Sequence, residues 1–130
     1  MQIATRQLAD TALLTVEGRV DHRSAGELEQ ALSTVLTPPD VAQGTVVLDF
    51  SGVEYISSVG LRVLMVAAKQ LRGRNAGFAV AGLQPVVAEI FAISRFDRVL
   101  AVHPDVAAAL DQGSEAARAA WQAGVPPAAT

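Results

Sequence analysis

Cysteine is absent from this 130-residue chain, and histidine occurs only as His22 and His103. Without thiols the chain cannot form a disulfide, a thiolate zinc site, an iron–sulfur cluster or a cysteine nucleophile. Charged residues make up only 18% of the sequence and apolar residues 51%, which excludes disorder over most of the chain. The composition therefore predicts one folded domain that needs neither a disulfide nor a metal for stability.

An excess of positive charge is also lacking, because the net charge is −3 and the cations are scattered along the chain. Nucleic-acid binders usually carry a basic patch, so the sequence argues against direct nucleic-acid binding. The most apolar window, 59–68, is short and contains Arg62, so it cannot span a bilayer. The N-terminus lacks the pattern of a signal peptide. We expect a cytoplasmic protein without a membrane segment.

Short apolar runs alternate with amphipathic segments along the chain, an order typical of α/β domains. This order predicts a mixed, mostly parallel sheet of about five strands, with an N-terminal hairpin and about four helices. We expect the domain to cover residues 1–112 and the Ala-rich tail 113–130 to be partly helical or disordered. The predicted strands cover 3–8, 12–20, 45–50, 78–81 and 98–102, and the predicted helices begin near 25, 58, 85 and 104.

Two serine-containing segments stand where helices are expected to begin. Ser24 precedes Glu27 by three residues, which fits a capping box in which the Ser24 hydroxyl accepts the Glu27 amide. Ser57 and Ser58 fall at the cap or the first position of the second helix. Capping alone would explain them. A phosphate would also be accommodated there, since helix N-termini favour anions and phosphorylation adds about −1.5 to −2 charges.

The motifs of common enzyme classes are missing. The sequence has no P-loop, no dinucleotide-binding glycine fingerprint and no nucleophile elbow. A phosphoacceptor role for Asp49 would need an acidic neighbour beside Asp21 and a lysine after a late strand, but the only lysine is Lys69. A hydrolase built on Ser58 would need a base or a metal site. We expect no catalytic residue, no metal site, no cofactor and no enzyme activity.

The stretch 49–61 resembles the STAS domain of stand-alone bacterial anti-sigma factor antagonists, supported by 18–21 before the first helix and 83–87 before the third. The resemblance covers about residues 3–110. It implies that the unphosphorylated protein binds an anti-sigma factor, which is also a serine kinase of the histidine-kinase-like ATPase fold, and so frees the sigma factor. It implies Ser58 as the phosphoacceptor, whose phosphorylation ends the interaction, and a PP2C-type phosphatase that reverses it.

The resemblance also implies a partner-binding surface around the acceptor. The common pattern has Asp just before the acceptor and a small residue after it, whereas this chain has Ser57 and Val59. Ser57 is therefore a second candidate acceptor, and Gly60 is expected to leave room for an approaching partner. STAS domains also act without phosphorylation, so the alternative is a scaffold subunit of a larger assembly such as a lipid-transport ABC complex. The matched positions are Asp21, Asp49, Ser57, Ser58, Val59, Gly60, Leu61 and Arg62.

Overall fold

Strands and helices alternate along most of the chain. The structure, a computed structural model, describes residues 1–36, 45–73, 77–111 and 115–124. A 3-10 helix, Phe96–Arg98, precedes the last strand. The strands are β1 (Gln2–Leu8), β2 (Thr11–Val20), β3 (Thr45–Ile56), β4 (Phe78–Ala81) and β5 (Ala101–His103). The α-helices in the described ranges are α1 (Ala25–Leu36), α2 (Ser58–Gly73), α3 (Pro85–Ile93), α4 (Val106–Asp111) and α5 (Glu115–Gly124).

All five strands belong to one sheet, in which their spatial order is the same as their order in the chain. β1 pairs with β2 in antiparallel fashion, and the other neighbouring strands are parallel. The predicted fold class, a mixed and mostly parallel sheet with an N-terminal hairpin, is confirmed. The connections between the parallel strands are right-handed crossovers, and each leads to the next strand in the same direction across the sheet. For this reason α1, α2 and α3 lie on the same face of the sheet.

The larger core lies between these three helices and the sheet. Leu28 of α1, Leu64 of α2 and Phe91 of α3 are almost fully buried against sheet residues that include Leu14 and Leu48. Each such side chain contributes about 1.5–3 kcal/mol when it leaves water. This packing fixes where α2 begins relative to the ends of β2 and β3.

A smaller core covers part of the opposite face. Leu8, Leu13 and Val47 of the sheet are buried beneath Leu110 of α4 and Ala117 of α5. The segment 115–124 of the Ala-rich tail is thus a helix packed on the domain. The predicted boundary between 112 and 113, and the last residues of the tail, lie outside the described residues.

β3 is longer than the predicted strand 45–50, because it continues to Ile56. Its pairing with β2 contains two irregularities, one after Asp49 and one after Val53, each adding one residue on β3. Bulges of this kind turn the following side chains and disrupt the two-residue period. Phe50, Val53 and Ile56 all face the core at a spacing of three residues. This is not the spacing of a regular strand, so the sequence predicts a break at Ser51-Gly52 where β3 in fact continues.

The last strand begins later than the predicted start at residue 98. Arg95 adopts a left-handed conformation with φ 59° and starts the 3-10 helix. This turn buries Phe96 against Phe91, with ring centroids 5.5 Å apart in an edge-to-face arrangement. Residues 98–100, which were predicted to begin the strand, therefore belong to this turn, and β5 covers only Ala101–His103.

No helix in the described ranges combines the length and the apolar character that a membrane span requires.

Candidate functional site

Ser57 is the N-cap of α2. Its hydroxyl oxygen accepts a hydrogen bond from the Gly60 amide at 3.2 Å, and its carbonyl oxygen accepts one from the Leu61 amide at 2.9 Å. The first bond satisfies an amide that the first turn of a helix would otherwise leave unpaired, and the second is the first backbone bond of the helix itself. The predicted capping role of this serine pair thus belongs to Ser57.

Ser58 is the first residue of α2, and its side chain is exposed. Within the described ranges, its hydroxyl takes part in no hydrogen bond. The two serines therefore differ chemically, because the Ser57 hydroxyl is used in the cap while the Ser58 hydroxyl is free for reaction. The structure gives this distinction a geometric basis that the sequence alone does not supply.

Gly60 is buried, in contrast to the expectation that it keeps the site open. A Cβ atom at this position would lie 2.8 Å from side-chain atoms of both Ile56 and Val20. The absence of a side chain therefore lets α2 approach the ends of β2 and β3. Gly60 shapes the site through this close packing and does not face an approaching partner.

The other residues in the first turns of α2 differ in exposure. Val59 is 44% exposed. Leu61 is half-buried and packs against the larger core, whereas Arg62 is exposed. Val59 and Arg62 can therefore contact a partner, and Leu61 mainly anchors the helix.

The turn before α1 differs from the predicted capping box. The Ser24 hydroxyl donates to the Arg19 carbonyl oxygen at 2.7 Å and accepts the Asp21 amide at 3.0 Å. The Glu27 amide instead donates to the Ser24 carbonyl oxygen at 3.0 Å. The capping-box prediction is wrong because the Ser24 side chain is turned back toward the end of β2, where a carbonyl group needs a donor.

Asp21 closes this turn and stands beside the start of α2. Its carboxylate accepts the Arg23 amide at 3.0 Å and the Ser24 amide at 3.2 Å. These hydrogen bonds, that from Arg23 first, lower the pKa of the Asp21 carboxyl below its ordinary value. The preceding residue, Val20, accepts the Ser57 amide at 2.8 Å. This bond brings the turn that contains Asp21 beside the start of α2, the neighbourhood that the family resemblance implies for it.

Asp49 does not lie near Ser58, and that expectation is wrong. Asp49 pairs with Thr15, whereas Ile56, at the end of β3, pairs with Val20. Five residues of β2 separate these two levels, so the distance along the sheet is about 17 Å. The Asp49 carboxylate instead accepts the Ser51 hydroxyl at 2.7 Å and the Ser51 amide at 3.1 Å. It holds the first bulge of β3.

One contact near the site was not expected from the sequence. The Arg19 guanidinium lies over the Tyr55 ring, 4.7 Å from its centroid, a cation–π arrangement. These two residues are paired across β2 and β3. The bulges shift the β3 register here by two residues, so no regular strand pairing read from the sequence would have matched them.

Two further observations concern groups that could act together with Ser58. In the described part of the chain, no group of three or more His, Cys, Asp or Glu residues could hold a metal ion. No hydrogen bond joins His22 or His103 to the Ser58 hydroxyl in those residues.

Comparison with known proteins gives consistent matches. A family model described as Mlab, STAS domain, matches residues 3–104. BtrV of Bordetella bronchiseptica, whose name places it among anti-sigma factor antagonists, is 32% identical over 126 residues, which is 97% of this chain and 99% of BtrV. The crystal structure of an anti-sigma factor antagonist from Mycobacterium paratuberculosis matches with a TM-score of 0.76 and 27% identity, over 85% of this chain and 92% of that one.

A more distant structure has the same fold. The phosphorylated form of the Bacillus cell fate determinant SpoIIAA matches with a TM-score of 0.67 and 15% identity, over 85% of this chain and 98% of that one. The range of the family model, 3–104, contains Asp21 and all residues from Ser57 to Arg62. The resemblance found in the stretch 49–61 is confirmed, and the chain belongs to the STAS domain family.

Proposed function

We propose that this protein is an anti-sigma factor antagonist controlled by phosphorylation of Ser58. The unphosphorylated form binds an anti-sigma factor that is also a serine kinase, and this binding releases the sigma factor. The free, exposed hydroxyl of Ser58 at the start of α2 is the observation that carries the proposal. The names of BtrV and of the Mycobacterium paratuberculosis protein support the same role.

The covalent step is an ordinary phosphoryl transfer. The Ser58 oxygen attacks the γ-phosphorus of ATP, the bond to the β-phosphate oxygen breaks, the hydroxyl proton is released and ADP leaves. Ser57 is a poorer acceptor because reaction at its oxygen would disrupt the hydrogen bond from the Gly60 amide. A PP2C-type phosphatase would hydrolyse the phosphoserine and restore the binding form.

Phosphorylation ends binding by a local change of charge. The acceptor is followed by the exposed Val59, and the Ser57–Val20 hydrogen bond brings the turn that contains Asp21 beside the start of α2, so a dianion on Ser58 adds charge to a surface that already carries one negative group. A charge placed in a desolvated contact costs several kcal/mol. A cost of about 3 kcal/mol weakens binding about 150-fold. The protein itself performs no catalysis in this scheme and acts in the cytoplasm.

Phosphopeptide mass spectrometry tests the acceptor directly. The full chain is incubated with ATP and its cognate anti-sigma factor kinase, alongside the variants Ser58→Ala and Ser57→Ala. We expect phosphate on Ser58 in the unmodified chain and in Ser57→Ala, and no labelling of Ser58→Ala. Phosphate found only on Ser57, or on neither serine, would overturn the assignment.

A scaffold role without phosphorylation is the second candidate. The exposed Val59 favours it, since an apolar contact at this position needs no phosphate to form. The two roles predict different complexes of the purified full chain. Stable binding to the ATPase subunit of an ABC-type assembly, with no transfer of phosphate from ATP in the presence of the kinase, would favour the scaffold.

A further inference from the structure

Arg62 is an exposed cation that lies one helical turn after Ser58 on α2. In the described part of the chain, its guanidinium takes part in no ion pair and no hydrogen bond. Arg118, by contrast, pairs with Asp111 at the other side of the domain. The Arg62 side chain is thus available to a new anion near the start of α2.

Helix geometry directs Arg62 toward Ser58. Residues at i and i+4 lie on the same helix face with their Cβ atoms about 5–6 Å apart. Side chains on a helix also lean toward its N-terminus, so Arg62 extends over the turn that Ser58 opens. An anion that precedes a cation by four residues is the more favourable order of such a pair.

Among the cations of α2, Arg62 is the one nearest to Ser58 in the sequence. α2 contains no Asp or Glu, and its other cations, Lys69 and Arg72, lie two or more turns further along. The neighbouring turn contributes Asp21, His22 and Arg23. The Asp21 carboxylate there already accepts two backbone amides.

We propose that Arg62 is the intramolecular counter-ion of phosphorylated Ser58. The guanidinium donates hydrogen bonds to the phosphate oxygens, a pairing that its planar, forked donors favour. Phosphorylation then alters two side chains of the partner-binding surface together, because it adds an anion at Ser58 and withdraws the exposed cation at Arg62 from a partner. The proposal rests on the proposed function, since it describes the phosphorylated state of the same site.

The test uses the full chain with phosphoserine inserted at position 58 during synthesis, so that no kinase is needed. The second pKa of the phosphate, ordinarily about 6, is followed by phosphorus NMR over a pH titration. We expect Arg62→Gln to raise this pKa by about 0.3–0.7 units, the range of an exposed ion pair. Arg62→Lys should recover part of the shift, because lysine keeps the charge but not the forked donors.

Two matched controls make the result decisive. Lys69→Gln removes an exposed cation from the same helix, and Arg23→Gln removes one from the neighbouring turn; both should change the phosphate pKa by less than about 0.2 units. Equal shifts for Arg62→Gln and Lys69→Gln, or a larger shift for Arg23→Gln, would overturn the proposal. The kinase experiment on Ser58 fails or succeeds independently of this titration, so the two hypotheses can be told apart.

Discussion

The Ser57 amide donates a hydrogen bond to the Val20 carbonyl oxygen at 2.8 Å. This bond joins the residue that caps α2 to the end of β2. The turn that begins at Asp21 and the helix that begins at Ser58 therefore form one continuous surface, although they are far apart in the sequence. We therefore expect a partner that covers the start of α2 to contact the turn at Asp21 as well.

Exchange of the two serines by alanine should affect stability unequally. Ser57→Ala removes the hydroxyl that accepts the Gly60 amide, and loss of such a cap costs about 1 kcal/mol. Ser58→Ala removes an exposed hydroxyl, so the free energy of unfolding should change by less than about 0.5 kcal/mol. Urea unfolding of both variants measures the difference. Equal losses would contradict the assignment of the cap to Ser57.

Gly60→Ala should destabilise the domain by about 1–3 kcal/mol, because overpacking of a filled core has a cost of this size. The added Cβ would meet Ile56 and Val20 at 2.8 Å. Gly26→Ala is the matched control, since a Cβ on this α1 residue has no neighbour within 4 Å. The control should be neutral or slightly stabilising, as alanine favours helix. Similar thermal midpoints for both variants would disprove the close packing at Gly60.

The contribution of Asp21 to stability should depend on pH. Its carboxyl has a lowered pKa in the folded state, chiefly through the Arg23 amide. A group of this kind stabilises the fold above its unfolded-state pKa, and the effect is lost as the pH falls through the folded-state pKa. The difference in unfolding free energy between the unmodified chain and Asp21→Asn should therefore be constant near neutral pH and shrink in acid.

Asp97→Asn supplies the control for this pH dependence. Asp97 is exposed, and in the described residues its carboxylate accepts no hydrogen bond, so Asp97→Asn removes a surface carboxylate that closes no turn of the Asp21 kind. Unfolding is measured from about pH 7 down to about pH 2.5 for all three proteins. A gap between the unmodified chain and Asp21→Asn that widens in acid would refute the role of the Arg23 and Ser24 amides.

The packing of α5 can be tested at two adjacent alanines. Ala117 is fully buried in the smaller core, and Ala116 is exposed. Ala117→Asp places an unpaired charge in this core and should cost about 2–4 kcal/mol or detach the helix. Ala116→Asp should change stability little. Hydrogen exchange would show the difference as lost protection around Leu8 and Leu13 in the first variant alone.

Partner binding should respond to charge at position 58. Ser58→Ala should bind the anti-sigma factor kinase with nearly unchanged affinity and resist phosphorylation. Ser58→Glu should bind at least about tenfold more weakly, since even part of the dianion's effect exceeds roughly 1.4 kcal/mol. Val86→Glu introduces the same carboxylate at an exposed valine on α3 and serves as the control. Isothermal titration calorimetry gives the three affinities, and equal weakening at both positions would point to a general charge effect.

The sequence predicts the alternation of strands and helices well because most elements keep a regular apolar period. β5 starts later than predicted because of the turn at Arg95, and β3 is longer than predicted, since its bulges after Asp49 and Val53 break the period without ending the strand. The error in strand length also misplaced Asp49, which seemed to close a short strand at the site. A bulge depends on the register with β2, and register is not visible in one strand's sequence.

The site itself was predicted in part. The positions of Ser57 and Ser58 followed from the helix start, and Asp21 from the resemblance to the family. Which serine caps the helix was not predictable, because both can occupy the cap and the choice depends on how close α2 comes to Val20. Gly60 permits that close approach, because a Cβ there would meet Ile56 and Val20.

The strands have the same order in the sheet as in the chain, and this order affects how the protein can fold during synthesis. Each strand pairs with the one made just before it, so the sheet can grow at one edge as the chain leaves the ribosome. Contacts between neighbours in sequence also favour fast folding. Among the described elements, α5 comes last in sequence and packs against β1, the first strand of the sheet, so we expect its docking to come after the sheet has formed.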